Sequence, residues 1–273
     1  MSTHRPESRK VTTEGLRRMK KRGERIACLT AYDALMAGIL DASGIDVLLV
    51  GDSAGTVVQG LDTTIQVTLD QMLYHCSMVT RAVKRALVVC DLPFMTFQVS
   101  AEEALRCAGR LFKEAGAEAV KLEGGKPFCG VVQRLTESGI PVMGHLGLTP
   151  QSIHHFGTYR VRGEDENEAQ QILDDAKRLE DAGAFAIVLE KIPSDLARQV
   201  AESVEIPIIG IGAGVDVDGQ ILVTHDMLGL FTRFHPRFVR RYAEIAKEMG
   251  SAFEAYASDV RAGKFPSADE SYD

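Results

Sequence analysis

Six ionisable side chains and one serine stand at or just after apolar runs of this sequence. Their types and positions suit catalysis, and they are Asp52, Ser53, Asp91, Lys121, Glu123, His145 and Glu190. Carboxylate oxygens without a Cys pair or a spaced His cluster favour a hard cation such as Mg²⁺ over zinc. Several carboxylates placed together cost free energy through burial and mutual repulsion unless a cation or a substrate satisfies them.

Such a set of groups suits the removal of a proton next to a carbonyl. A 2-oxo acid can offer Mg²⁺ its keto oxygen and one carboxylate oxygen, and the cation then acidifies the neighbouring C–H and stabilises the enolate. Proton removal needs a separate base, and Glu190 is the available acid furthest along the chain from Asp52 and Asp91. Lys121 suits neutralisation of the substrate carboxylate or of the developing enolate.

Five of these residues also have an ordinary structural interpretation when they are taken alone. Asp52 suits a turn or a helix N-cap, and Asp91 before Leu-Pro suits a turn. Lys121 and Glu123, two residues apart on a strand, point to one face and could form only an ion pair. His145 between glycines could be a structural histidine. The catalytic interpretation therefore depends on a fold that brings all of them to one place.

A pattern that occurs three times predicts where the acids lie. The segments 41–52 (DASGIDVLLVGD), 114–123 (EAGAEAVKLE) and 181–190 (DAGAFAIVLE) each run from an acid through small residues and Gly to an apolar stretch and a closing acid. Gly suits the left-handed position after a helix. Continuous apolar runs indicate strands covered on both faces, as in parallel sheets. The pattern predicts a helix–turn–strand unit with an acid at the carboxyl end of the strand.

Further apolar runs complete a set of eight predicted strands, and these runs are 26–32, 86–94, 141–147, 206–214 and 220–226. Helical patterns cover 33–43, 69–84, 100–115, 128–138, 166–182 and 194–203. This alternation predicts a (β/α)₈ TIM barrel as a single domain over residues 1–273, with an N-terminal helix and a C-terminal helical extension over 238–265. The connection between strands seven and eight is too short for a full helix. An open doubly wound sheet is the alternative, although no GxGxxG follows the first strand.

The composition of the sequence limits the kinds of partner and the cellular compartment to be expected for this protein. The net charge of −7 argues against a nucleic-acid partner, and no apolar window is long enough for a membrane span. Five cysteines without a CxxC pair, of which Cys28 and Cys90 lie in apolar runs, predict a reducing cytoplasm without disulfides. The basic stretch 17–22 is interpreted as the solvated face of a first helix rather than a targeting peptide.

Nine motifs occur in order along the chain. They are TAYD (30–33), LVGDS (49–53), VQG (58–60), DLPF (91–94), VKLEGG (120–125), GHLGLTPQS (144–152), VLE (188–190), IGIGAG (209–214) and DGQILV (218–223). Together they resemble the ketopantoate hydroxymethyltransferase family, with a likeness that runs from about residue 11 to 266. VKLEGG and GHLGLTPQS are the most specific. The stretches 212–220 and 231–238 depart from the usual family versions.

The resemblance implies a reaction and an assembly. The family transfers a one-carbon unit from 5,10-methylenetetrahydrofolate to 3-methyl-2-oxobutanoate, which gives ketopantoate on the route to pantothenate and coenzyme A. Its fold is a (β/α)₈ barrel, usually assembled as a homodecamer of two pentameric rings. Small-molecule substrates, a homo-oligomer and a cytoplasmic location are therefore expected, without nucleic-acid or membrane partners.

The resemblance also implies roles for individual residues. Asp52 and Asp91 match the direct Mg²⁺ ligands, and Glu123 matches a third carboxylate at longer range. Glu190 matches the proton acceptor. The positions that hold the 2-oxo acid are matched by Asp52, Ser53, Asp91 and Lys121. His145 remains a further candidate for the active site.

Two other classes of function stay open at this point. One is a Mg²⁺-dependent lyase or mutase of the phosphoenolpyruvate type, which shares the barrel and the enolate chemistry. Such enzymes often carry a catalytic Cys in a flexible loop, and only Cys129 comes near such a position here. The other is a non-catalytic barrel that serves as an assembly subunit.

Overall fold

The computed structural model describes residues 9–272, which divide after Leu222 into two compact units. The first unit contains a closed barrel of eight parallel strands in sequence order around the ring. The strands are β1 (Ile26–Thr30), β2 (Val47–Val50), β3 (Leu87–Asp91), β4 (Ala119–Lys121), β5 (Val142–Gly147), β6 (Ala186–Glu190), β7 (Ile208–Ile211) and β8 (Gly219–Leu222). The predicted (β/α)₈ barrel is confirmed, and the open doubly wound sheet is wrong.

Helices separate most of the strands of the first unit. They are α1 (Thr13–Lys21), α2 (Ala34–Ala42), α3 (Ala54–Val57), α4 (Leu69–Ala82), α5 (Ala101–Ala115), α6 (Cys129–Glu137), α7 (Ile153–Phe156), α8 (Glu166–Asp181) and α9 (Ser194–Ser203). The second unit contains α10 (Thr224–Met227) and α11 (Ile245–Arg261). All six helical patterns read from the sequence agree with these bounds to within two residues.

The three-fold helix–turn–strand pattern is present as predicted. Gly44, Gly116 and Gly183 follow α2, α5 and α8 with φ angles of 87°, 72° and 98°. A side chain with a Cβ atom is strained in that conformation, so glycine ends each of these helices. The chain then enters β2, β4 and β6, whose residues are almost entirely buried.

Helix α1 covers the end of the barrel at which the strands begin. Leu16 is fully buried in the same apolar cluster as Ile26 and Val47, which start β1 and β2. The Lys20 ammonium donates to the carbonyl oxygens of Ala201 and Ile206, each at 2.9 Å. It also lies 3.0 Å from the Asp218 carboxylate.

The prediction of a solvated basic face on α1 is therefore only partly right. Arg18, Lys21 and Arg22 are exposed, as predicted. Lys20 is not on the solvated face, because its side chain is only 15% exposed. It forms an ion pair with the Asp218 carboxylate and hydrogen bonds to two backbone carbonyls.

Several boundaries differ from the sequence-based expectation. Strands one, three and seven end at Thr30, Asp91 and Ile211 instead of at 32, 94 and 214. Strand four ends at Lys121 and not Glu123, and strand eight ends at Leu222 because 224–227 form the short helix α10. The predicted helical extension begins at Ile245 instead of 238. In the second unit the backbone amides of Tyr242 and Ile245 donate to the carbonyl oxygens of Met227 and Leu228. These amides therefore bond to the end of α10 and do not form the helical hydrogen bonds expected before α11.

Three further features of the described residues bear on the sequence analysis. No helix separates β7 from β8. All five cysteines are free, and Cys28 and Cys90 are buried. Within residues 9–272, none of the helices has the length and apolar character needed to cross a membrane.

Candidate active site

The six ionisable residues singled out from the sequence lie at the carboxyl ends of five consecutive strands. Asp91, Lys121 and Glu190 are the last residues of β3, β4 and β6. Asp52 and Glu123 follow β2 and β4 by two residues, and His145 lies within β5. Parallel strands that close into a barrel bring these ends to one mouth.

Asp91 and Lys121 form a buried ion pair across neighbouring strands. They are register partners on β3 and β4, with 3.0 Å between Nζ and Oδ1 and side chains only 5% and 3% exposed. The backbone amide of Asp52 donates to the other oxygen of Asp91 at 3.0 Å. Lys121 therefore pairs with Asp91, its neighbour in the sheet, instead of Glu123, the partner considered from sequence spacing.

The carboxylates at this mouth outnumber the lysine that neutralises them. Burial raises the pKa of Asp52 to about 8, and the charges of Asp91 and Glu123 outweigh the opposite effect of Lys121. Burial likewise raises the pKa of Asp91 despite the adjacent ammonium. The pKa of Lys121 is raised, because the surrounding carboxylates outweigh the effect of burial. This surplus of negative charge would be relieved by a bound cation.

His145 stands between two acids. Nδ1 is 3.4 Å from Oε1 of Glu123, and Nε2 is 3.3 Å from Oε2 of Glu190, both at ion-pair rather than ideal hydrogen-bond separation. Lys121 Nζ is 3.3 Å from the same Nδ1. Burial and the Lys121 charge lower the pKa of His145, but the two carboxylates outweigh them and raise it to about 9. The two carboxylates therefore favour the protonated form of the imidazole.

The Ser53 hydroxyl is oriented by Tyr32, which lies just after β1. The hydroxyl groups of Ser53 and Tyr32 are hydrogen-bonded at 2.8 Å, and Tyr32 is 2% exposed. Nδ1 of the buried His75 lies 2.8 Å from the carbonyl oxygen of Tyr32. A Cβ atom at Gly51 would come within 2.7 Å of the Ser53 hydroxyl, so a larger residue there would displace that hydroxyl from its present position.

Gln151 belongs to the site although it was not singled out from the sequence. The side-chain amide donates to Asp52 Oδ2 at 2.9 Å, and the backbone amide donates to Glu123 Oε2 at 2.9 Å. The available signal was its place in GHLGLTPQS, directly after strand five. Tyr32, in TAYD, was also missed as the partner of Ser53.

The donor set fits a hard cation that keeps some of its own ligands. Within residues 9–272, no three His, Cys, Asp or Glu side chains are arranged so that they could hold a metal ion as they stand. Mg²⁺ in proteins usually takes one or two carboxylates and completes its shell with water and substrate oxygens. Asp91 Oδ1 is buried and contacts the Lys121 ammonium at 3.0 Å, and burial together with the neighbouring carboxylates disfavours ionisation of Asp52 beside it, a penalty that a cation would offset. Asp52 and Asp91 therefore suit Mg²⁺, and their role as ligands stays a prediction.

A separate cavity of about 300 Å³ lies beside the starts of β5 and β6. Arg17, Ile140 and Phe185 are among the residues that line it. None of the predicted site residues lines this cavity, so it is not the candidate active site.

The family model for ketopantoate hydroxymethyltransferase matches residues 10–268. The chain belongs to this family. It is 57% identical over 272 residues to the 3-methyl-2-oxobutanoate hydroxymethyltransferase of Christiangramia forsetii, with all of both chains covered. The Salinibacter ruber protein of that name is 58% identical over 263 residues, which cover 96% of this chain and 99% of that one. The predicted enzyme class is confirmed, and the non-catalytic assembly subunit is wrong.

Solved structures with low sequence identity share the fold. A phosphonopyruvate hydrolase, in a complex with oxalate and Mg²⁺, has a TM-score of 0.63 at 15% identity and covers 95% of this chain and 93% of its own. A 2,3-dimethylmalate lyase has a TM-score of 0.59 at 16% identity, with 96% and 89% covered. At this identity the likeness shows the fold alone, and family membership favours the transferase over the lyase or mutase alternative.

Proposed function

We propose that this chain transfers a hydroxymethyl group from 5,10-methylenetetrahydrofolate to 3-methyl-2-oxobutanoate with the help of Mg²⁺. The products are 2-dehydropantoate and tetrahydrofolate, on the route to pantothenate and coenzyme A. The observation that supports it most is the buried surplus of carboxylate beside the Asp91–Lys121 pair. The names of relatives at 57% and 58% identity agree with it.

In this proposal the first half of the mouth binds the 2-oxo acid. Asp52 and Asp91 hold Mg²⁺, with Glu123 at longer range. Bound Mg²⁺ supplies Lewis acidity, which polarises the keto group and makes the C3 hydrogen acidic. The Lys121 ammonium offsets the charge of the substrate carboxylate. The Ser53 hydroxyl, held by Tyr32 at 2.8 Å, contacts the oxo acid.

The second half of the mouth moves the proton. Glu190 accepts the C3 proton, and the electron pair of the broken C–H bond becomes the C2–C3 double bond of the enolate. C3 then forms a bond to the methylene carbon of the folate as one of the two C–N bonds of that carbon breaks. A hydroxyl group from water replaces the second C–N bond, and the C3 proton and one water proton pass to the two folate nitrogens, so that tetrahydrofolate leaves. His145 positions the Glu190 carboxylate, since Nε2 of His145 lies 3.3 Å from Oε2 of Glu190.

Exchange of the C3 hydrogen for solvent deuterium tests the proposal without the folate. Proton NMR should show Mg²⁺-dependent loss of the C3 signal of 3-methyl-2-oxobutanoate. Glu190→Gln should slow the exchange by about 100-fold or more, the scale of general base catalysis, while the substrate still binds. Glu202→Gln, at an exposed acid, is the control. A wild-type chain that exchanges no deuterium would overturn the function, and undiminished exchange in Glu190→Gln would remove Glu190 from its role.

We also propose a cytoplasmic homo-oligomer in which residues 1–273 act as one functional domain. Free thiols at all five cysteines agree with a reducing compartment. The family resemblance supports a decamer. Light scattering on the purified chain should give a mass of ten subunits, and a monomeric mass would contradict the assembly.

A further inference from the structure

Gln151 connects the loops that follow three different strands. Its side-chain Nε2 donates to Asp52 Oδ2 at 2.9 Å, after β2, and to the carbonyl oxygen of Leu92 at 3.0 Å, after β3. Its backbone amide donates to Glu123 Oε2 at 2.9 Å, after β4. Gln151 is 5% exposed, so these groups have no water to replace a lost partner.

The orientation of the Gln151 amide is set by Gln98. Gln98 Oε1 accepts from the backbone amide of Met95 at 2.8 Å, which fixes its nitrogen as the donor on the other side. That nitrogen donates to Gln151 Oε1 at 3.2 Å. Because Gln151 Oε1 is the acceptor here, Gln151 Nε2 must face Asp52. A flipped amide would set two donors against each other and an oxygen against the Asp52 carboxylate.

We propose that Gln151 is a positioning residue for the metal-binding carboxylates and that Gln98 holds it in the working orientation. This inference rests on the proposed function, in which Asp52 and Glu123 serve Mg²⁺. Gln151 occupies Oδ2 of Asp52 and leaves Oδ1 for the cation. The same residue occupies Oε2 of Glu123, which leaves Oε1 towards His145.

The arrangement serves the site more than the barrel. Gln151 lies outside the regular strands, and its amide bonds to one carboxylate and one loop carbonyl. Hydrogen bonds from outside the first coordination shell orient metal ligands, and their loss typically weakens metal affinity by about 10–100-fold. A methionine has a similar length and flexibility but donates no hydrogen bond, so it removes the orienting contact with little change in volume.

The test is calorimetric titration of Mg²⁺ into the full chain with 3-methyl-2-oxobutanoate present. Gln151→Met should weaken Mg²⁺ binding by about tenfold or more. Its Tm in the presence of a chelator should stay close to that of the wild type. Gln98→Met leaves the Gln151 side chain in place and should weaken binding by a smaller factor, about threefold. Gln133→Met, at an exposed glutamine of α6, should change nothing.

Each outcome decides the inference. Mg²⁺ affinity within twofold of wild type in a folded Gln151→Met overturns it, as does a loss in Gln133→Met of equal size. If Gln151→Met does not fold, Gln98→Met decides, and unchanged affinity there overturns the inference. A wild-type chain that binds Mg²⁺ but exchanges no C3 deuterium contradicts the proposed function and leaves the positioning role intact. A wild-type chain that binds no Mg²⁺ overturns both.

Discussion

The Nε2 atom of His145 lies 3.3 Å from the Oε2 atom of Glu190, and both residues stand on neighbouring strands of the barrel. The opposite ring nitrogen is 3.4 Å from Glu123. One buried imidazole therefore links the acid proposed as the base to an acid on the metal side of the mouth. A change at His145 should disturb both.

Replacement of His145 by Gln should slow C3 deuterium exchange by about 10-fold or more, since glutamine has one donor nitrogen and its amide oxygen would repel the second carboxylate. The protein should remain folded, because the change conserves polarity. His154→Gln, at an exposed histidine of α7, is the matched control. Exchange at the wild-type rate in His145→Gln would show that the imidazole does not support Glu190. NMR of the substrate gives the rate directly.

Removal of one hydroxyl at Tyr32 should act on substrate binding. Tyr32→Phe deletes the 2.8 Å hydrogen bond to Ser53 and leaves that serine free to rotate. We expect the Kd for 3-methyl-2-oxobutanoate to rise about fivefold, as for the loss of roughly 1 kcal/mol of hydrogen bonding. Tyr74→Phe, at a tyrosine that is 65% exposed, should leave the Kd unchanged. Equal Kd values in the two variants would contradict an orienting role for Tyr32.

The contacts of Lys20 predict a stability effect without a catalytic one. Lys20→Met removes an ion pair with Asp218 and two hydrogen bonds to carbonyls at the amino-terminal end of the barrel. The unfolding free energy should fall by about 2 kcal/mol, below the cost for a fully buried pair because both side chains keep some exposure. Urea unfolding measures the change. Lys21→Met, one residue on and exposed, should have little effect, and equal destabilisation by both variants would refute the specific role of Lys20.

The partly buried carboxyl group of Asp226 should make the stability of the second unit depend on pH. Burial raises its pKa to about 6, while the charges of Arg241 and His235 oppose the rise. The unfolded chain has an ordinary carboxyl pKa of about 4, so the folded chain holds an extra proton between these values. The contribution of Asp226 to stability is therefore greatest below about pH 4 and is lost as the pH rises through about 6.

Replacement by asparagine should remove that dependence. After allowance for partial exposure, we expect Asp226→Asn to gain about 1–2 kcal/mol over the wild type between pH 4 and pH 7.5. Urea unfolding of both chains at the two pH values gives the difference, in which other titrating groups cancel. Asp259→Asn, at an exposed aspartate of α11, is the control. A wild-type and variant difference that does not change with pH would contradict the prediction.

Local chemistry explains what could be predicted from the sequence. A glycine after a helix, an apolar run and a closing acid are short-range signals, and they located Asp52, Glu123 and Glu190 at strand ends. The barrel rule then brought these acids to one mouth. The bounds of α2 and α9 could also be predicted, because the spacing of apolar residues and the position of helix-breaking residues determine them.

Long-range pairing explains what could not be predicted. Lys121 pairs with Asp91 because β3 and β4 align in that register, which sequence spacing does not reveal. Gln151 contacts Asp52 from 99 residues away, and although the GHLGLTPQS motif marks the segment, the sequence does not show which residue Gln151 contacts. Strand eight ended early because 224–227 close into a turn of helix, although their composition also suits a strand.

The strands follow one another around the barrel in the order of the chain, and this order divides the site in two. Asp52, Asp91, Lys121 and Glu123 all precede the exposed turn at Ser138 and Gly139, whereas His145 and Glu190 follow it. A chain cut at that turn would yield one fragment with the acids and lysine and another with the imidazole and the base. Neither fragment alone could catalyse the reaction, so recovery of activity on mixing would show that the two fragments had reassembled into a closed barrel.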